Sequence, residues 1–424
     1  MAHTRRTFVA FHCVAVAAGL AGCGGHAGGS GALSATPSAP APGPNAPSPS
    51  ATPVQSAPPP PPPKWMTAAV GHWAQLGGTA APPALAAYSG VGWREDAGAI
   101  EIFSGVAGGH AAGQYVTNNE VFTLRLDVDS PTWVRRRAAS NASGWDSSGQ
   151  TSPYMPDGRP ASRHVYCDAN WSPDQGAYLV GGLFWGSLGI DYPVLDAFIP
   201  AGDSDGDWAP SGSFPPRPVG AGGYFVMLSA QDPATGMLYG TTRADGSLLF
   251  RFNAKSKAWT RIALSGSGNV NMGGNAFDTR RGQIFNLSNA SWLVPAPGVN
   301  STVIDPNTGG MTLIAFRPSA AWADFQASAT QFALTALSYD AWHDCFYFYN
   351  GDTYGLAGQT QKVYRITPND GAVWDMDFLP ILGGVVPAAA GDSGVLTRFK
   401  YVQRLNALVL LVPGEDIYYM RLPL

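Results

Sequence analysis

A four-strand unit recurs along this chain, and its last copy is one strand short. Each unit has a first strand that closes in an Asp-bearing turn and an apolar second strand that follows at once. A third strand comes after a variable gap, and a fourth usually carries Trp. The copies fall at 86–93, 99–104, 120–126 and 132–136, with Trp133, and at 163–170, 177–181, 194–199 and 207–211, with Trp208. Three more lie at 223–232, 237–243, 247–254 and 258–265 (Trp259), at 275–278, 283–287, 301–305 and 311–316 (Met311 in place of Trp), and at 337–340, 345–350, 362–367 and 373–379 (Trp374). The sixth, 394–401, 407–412 and 416–422, lacks a fourth strand, and residues 71–76 at the other end supply a stray one bearing Trp73.

Repeats of roughly 50 residues that cannot bury their apolar faces alone predict radial stacking. The expected fold is all-β, a single six-bladed propeller over 65–424 with four-stranded blades. An N-terminal strand completes the last blade and removes an open sheet edge. Runs such as Leu408-Val409-Leu410-Leu411-Val412 and Cys345-Phe346-Tyr347-Phe348-Tyr349 are apolar on both faces, as strands covered on two sides should be. Two β-sandwich domains are the competing arrangement, and they do not explain the incomplete last unit. Cys167 and Cys345 fall in blades two and five of the expected ring, too far apart for the roughly 7 Å Cα separation of a disulfide, so two buried free thiols are expected.

Within this pattern, Pro160-Ala161-Ser162-Arg163-His164 leads into a first strand and Tyr178-Leu179-Val180-Gly181-Gly182 closes a second. Together with the fourth-strand tryptophans, these residues resemble the kelch and galactose-oxidase type of propeller over about residues 65–424. The paired glycine is clear only at Gly181-Gly182. The copper-radical oxidases of that superfamily use two Tyr, two His and a Cys. Here the histidines beyond the leader are His26, His72, His110, His164 and His343, with no short ligand spacing, so the resemblance brings the fold and not that chemistry.

The N-terminus reads as an export signal. Arg5 and Arg6 precede an apolar run from Phe8 to Leu20, too short to span a bilayer core of ~30 Å. Leu20-Ala21-Gly22-Cys23 resembles the bacterial lipobox, which implies removal of 1–22 and a lipid on Cys23. Thr4-Arg5-Arg6-Thr7-Phe8 resembles a loose twin-arginine signal, and a general secretory signal is the alternative. Gly24 rather than Asp after the cysteine suggests outer-membrane sorting in a host with two membranes. Residues 23–64 form a linker with no Asp, Glu, Lys or Arg between Gly24 and Pro63, ending in prolines 58–63. It is expected to be a disordered, semi-rigid tether reaching on the order of 100 Å, at about 3.1 Å per polyproline residue.

Charged residues are 13% and the net charge is −4, which argues against nucleic acid and against a polybasic membrane patch. Asp203, Asp205 and Asp207 alternate as calcium-loop ligands do, but Gly206 comes early and no bidentate Glu follows. A structural calcium site and a solvated turn are the two readings of that segment. No nucleophile elbow is present, and no catalytic residue is assigned.

Strands alternate in direction within a blade, so loops joining strands two to three and four to one share a face. The long insertions, 105–118, 138–158, 183–193, 290–298, 318–332, 351–361 and 382–393, are all of that kind, and the opposite turns are tight. They carry aromatic anchors among Gly and Ser, a composition suited to binding. The candidate partner-binding residues on that face are Tyr115, Trp145, Tyr154, Arg163, Trp185, Tyr192, Trp292, Trp322, Phe325 and Tyr354. Some of them could instead tuck back as plugs over the blade cores. The expected function is non-catalytic binding of an extracytoplasmic protein or polysaccharide by a lipid-anchored module. A glycan-active enzyme with paired carboxylates near the axis and a structural subunit of an envelope complex are the alternatives.

Overall fold

The asparate-bearing turns predicted at the ends of first strands are built by the carboxylates themselves. Asp278 Oδ1 accepts the amides of Arg280 (2.9 Å) and Arg281 (3.0 Å), and Asp340 Oδ1 accepts those of Trp342 (2.8 Å) and His343 (3.0 Å). Asp96 does the same for Gly98 and Ala99. Each side chain satisfies turn amides that strand pairing leaves over, which lets a second strand start within a few residues. The computed structural model describes residues 61–80, 82, 89–106, 110–111, 114–115, 119–141, 152–182, 194–218, 226–242, 245–268, 270, 273–288, 300–328, 335–352, 358–391 and 394–424.

These hairpins stack into six antiparallel four-stranded sheets, the blades of a β-propeller. The inner strands, in blade order, are Gly92–Asp96, Ala169–Ser172, Val226–Gln231, Gly274–Asp278, Ala336–Asp340 and Phe399–Val402. Blade six is closed as the sequence predicts: His72–Leu76 pairs antiparallel with Ile417–Arg421, setting Trp73 opposite Met420 and Leu76 opposite Ile417.

Each of the six seams between neighbouring blades holds its own hydrophobic cluster, and the fourth-strand side chain contributes to all six. Trp208 of blade two meets Phe103 of blade one at 6.5 Å between ring centroids, and Trp374 of blade five meets Phe285 of blade four at 4.8 Å. Trp73 reaches Tyr349 of blade five at 6.3 Å. A large side chain recurs in the fourth strand because it fills the wedge that opens toward the rim between two twisted sheets.

Several details differ from the sequence reading. The first strand of blade two begins at Ala169 rather than 163, after a segment of turns and isolated pairings. Insertion 318–332 contains an α-helix, Ala320–Ser328. Three two-residue strands, Ser265–Gly266, Ala315–Phe316 and Gly383–Gly384, pair in parallel with the outer strand of the following blade and strap it to its predecessor. Gly384 is required there: at φ +94° a Cβ would lie 2.0 Å from the Trp73 carbonyl oxygen. No helix among the described residues is long and apolar enough to cross a membrane.

Candidate functional site

The six inner strands surround an axial cavity of about 730 Å3, in the range of small-ligand sites. Inner strands run toward the tight-turn face, and the cavity reaches it, since Pro173, Pro233, Thr279 and Trp342 of those turns help line it. The wall is uneven. In blades four and five it is aromatic, with Phe277, Tyr339 and Trp342 half-buried. Phe277 stacks on Tyr239, with centroids 5.8 Å apart, and the Tyr339 hydroxyl donates to Asp344 at 2.7 Å. Trp342 is held by its backbone, its carbonyl accepting from Arg280 at 3.0 Å. Burial would raise the Asp344 carboxyl, but its bonds from Arg281 and Tyr339 hold it below the usual carboxylate range, so this clamp stays charged at neutral pH.

The wall of blades six and one carries the charges. Lys400 Nζ sits 3.7 Å from Glu95 Oε2 and 5.5 Å from the Trp93 ring centroid. Burial pushes the Lys400 ammonium down against the opposing pull of Glu95. Glu95 also accepts the Arg404 amide at 3.0 Å. Asp96 receives Arg94 Nε at 2.7 Å, and Arg94 in turn lies 4.6 Å over Trp171. The Arg404 guanidinium donates to the Asp96 carbonyl and is in no ion pair among the described residues. Amides of Asn170, Gln231, Asn275 and Gln403 complete the lining. Cys167 is also in the wall, and burial pushes its thiol up to about 12; it and Cys345 are free and buried, as the sequence predicts.

The residues expected to bind a partner do not gather here. Trp145, Trp185, Tyr192, Trp292 and Tyr354 lie outside the described residues, as does Cys23, and Tyr115 is described only as part of the short strand Gln114–Tyr115. Of the four others, Arg163 and Phe325 are buried, which corrects their reading as exposed anchors, and Tyr154 and Trp322 are partly buried. The Arg163 side chain is 0% exposed and pairs with Asp196 at 2.8 Å, while the Tyr154 hydroxyl donates to the same carboxylate at 3.1 Å. Phe325 is buried in the seam between blades four and five, against Phe348 and Tyr364, and Trp322 packs half-buried on Phe316 and Phe325. The helix lays both rings on the blade core.

Two of the three aspartates face arginines rather than one another. Asp207 pairs with Arg137 at 2.9 Å and Arg159 at 3.8 Å, and Asp203 lies 4.0 Å from Arg125. Asp205 accepts the Gly206 amide. Among the described residues no three His, Cys, Asp or Glu side chains come together to hold a metal ion.

The axial wall escaped the sequence reading, although a signal for it exists. First strands such as Gly274–Asp278 alternate buried and half-buried positions, while second strands such as Cys345–Tyr349 are buried throughout. Several half-buried positions of first strands, Trp93, Glu95, Asn275, Phe277 and Tyr339, face the axis.

Fold and cavity together define a six-bladed β-propeller with an aromatic and amide-lined axial site. No family model matches the chain, and no curated protein is similar to it in sequence. Among solved structures the chain is similar to YCF48 bound to D1 peptide, at 10% identity over 73% of this chain and 77% of that one, with a TM-score of 0.34. It is also similar to a chain of a mitotic checkpoint complex, at 10% identity over 83% and 91%, with a TM-score of 0.40. The fold assignment rests on the blades themselves.

Proposed function

We propose that this chain is an exported, lipid-anchored binding protein that takes its partner, a protein or a glycan, into the axial cavity from the tight-turn face. The observation that carries this reading is the cavity wall, which sets aromatic faces beside amides and charged groups at the one place where all six blades converge. A purely structural ring has no need of half-buried Trp and Tyr on its axis. Binding without chemistry is favoured because Glu95 and Asp96, the carboxylates in this wall, are engaged by Lys400, the Arg404 backbone amide and Arg94. The kelch-type relationship belongs to the same proposal. Gly181 supports it, since a Cβ there would lie 2.0 Å from the Asp168 carboxylate, and so does Gly182 at φ +107°. Export and the lipid on Cys23 rest on the leader and lipobox residues alone.

The test compares capture of envelope proteins and glycans by the wild type, Trp342→Ala and Trp185→Ala. Trp342→Ala is expected to lower capture at least tenfold with the melting temperature within a few degrees. Loss of capture in Trp185→Ala with Trp342→Ala unaffected would move the site to the long-loop face. Cys23→Ala is expected to shift the protein from the membrane to the soluble fraction, and unchanged membrane retention would remove the lipid anchor.

A further inference from the structure

We infer that the axial cavity receives the free C-terminus of an extended peptide, its carboxylate on Arg404 and its apolar last side chain against Phe277, Tyr339 and Trp342. This inference rests on the binding role proposed for the cavity.

Asp96 is matched by Arg94, with Nε to Oδ2 at 2.7 Å. Glu95 is matched by Lys400 at 3.7 Å. Arg404 remains: it is half-buried, its guanidinium is bonded to a peptide carbonyl, and no carboxylate of the described residues pairs with it. One guanidinium in a concave, partly desolvated wall calls for one anionic group. Its planar fork of donors suits a carboxylate.

The rest of the wall selects what carries that carboxylate. The aromatic side presents three ring surfaces, suited to an apolar side chain more than to a polyanion. Asn170, Gln231, Asn275 and Gln403 add amides to the lining, the complement of a peptide group, with Gln231 also donating to the Trp171 carbonyl and Asn275 to that of Gly273. A volume of about 730 Å3 admits a chain end of a few residues and excludes a folded domain. An acidic sugar would also satisfy Arg404 but would leave the aromatic side less well used.

The experiment titrates the full-length protein in detergent with acetyl-Ala-Ala-Phe as free acid, the same peptide as C-terminal amide, and glucuronic acid. Binding is followed by tryptophan fluorescence, since Trp93, Trp171 and Trp342 line the cavity, and by calorimetry. The acid is expected to bind at least tenfold more tightly than the amide. Arg404→Gln should abolish that difference and leave amide binding in place, with Arg404→Lys intermediate. Trp342→Ala should weaken acid and amide alike. Equal binding of acid and amide, or tighter binding of glucuronic acid, overturns the C-terminal peptide while leaving the cavity as the site. Absence of binding by either peptide also overturns it, and the capture comparison of Trp342→Ala then decides separately whether the cavity binds anything. Melting curves of each variant show that the ring is intact.

Discussion

Arg163 illustrates how a side chain that looks available in the sequence is consumed by the fold. It precedes the first strand of blade two, on the long-insertion side, where a basic residue next to aromatics invites a binding role. In the structure its guanidinium is sealed in with Asp196, whose side chain is 3% exposed, and Tyr154 closes the network from above. Two ions removed from water recover much of their solvation through each other, so deleting one leaves a buried charge without its counter-ion. Arg163→Ala is therefore expected to destabilise the protein by about 3–5 kcal/mol. The double change Arg163→Met with Asp196→Leu should recover most of that loss, because it removes both charges and keeps the volume. Urea unfolding of the two variants checks this, and a single variant as stable as the wild type would mean that water reaches Asp196.

At the scale of elements, what was legible is what repeats. The large fourth-strand side chain could be read because the same wedge between sheets recurs at six seams, filled by Trp at five and by Met311 at the other. The parallel straps could not, because a two-residue strand such as Gly383–Gly384 has no periodicity and exists only where the fold brings it beside Trp73. The helix Ala320–Ser328 lay between these cases. Its alanines favour a helix, and Ser319 caps it by accepting the Trp322 amide at 3.0 Å, yet its position in a long insertion with two aromatics suggested a binding loop. The helix is a plug, and its consequence is testable. Phe325 is 0% exposed and meets rings of two strands, so Phe325→Ala should cost about 3–5 kcal/mol, whereas Trp322→Ala should cost less because that residue is only partly buried. Thermal melting of the pair orders them. The reverse order would mean that Trp322, not Phe325, anchors the helix.

At the scale of the whole molecule, stability depends on whether the ring is closed. A propeller seam is buried only when both blades stand, so an open ring exposes two apolar faces at once. The segment 65–79 prevents that from two sides. Trp73 enters the seam between blades five and six, and Met66 and Leu76 enter the seam between blades six and one. Trp65 packs edge-on against Tyr419 with centroids 5.0 Å apart, and the Thr79 carbonyl accepts the Trp133 indole N–H of blade one at 3.0 Å. Deleting 65–77 removes Trp65, Met66, Trp73 and Leu76 with their contacts and leaves the Ile417–Arg421 strand as an unpaired edge. Losing one buried Trp costs about 3–5 kcal/mol, and a whole domain has only about 5–15 kcal/mol to lose. The deletion is thus expected to leave a chain that melts far below the wild type or aggregates. The milder Trp73→Ala should remain folded, and hydrogen exchange can then read where the ring gives way. Protection should fall first in Ile417–Arg421 and Cys345–Tyr349, which flank the emptied seam, while Leu238–Thr242 on the other side of the ring keeps its protection longest. Uniform loss around the ring would make the propeller a single cooperative unit rather than a chain of seams, and unchanged melting of the deletion would refute closure by the N-terminal strand.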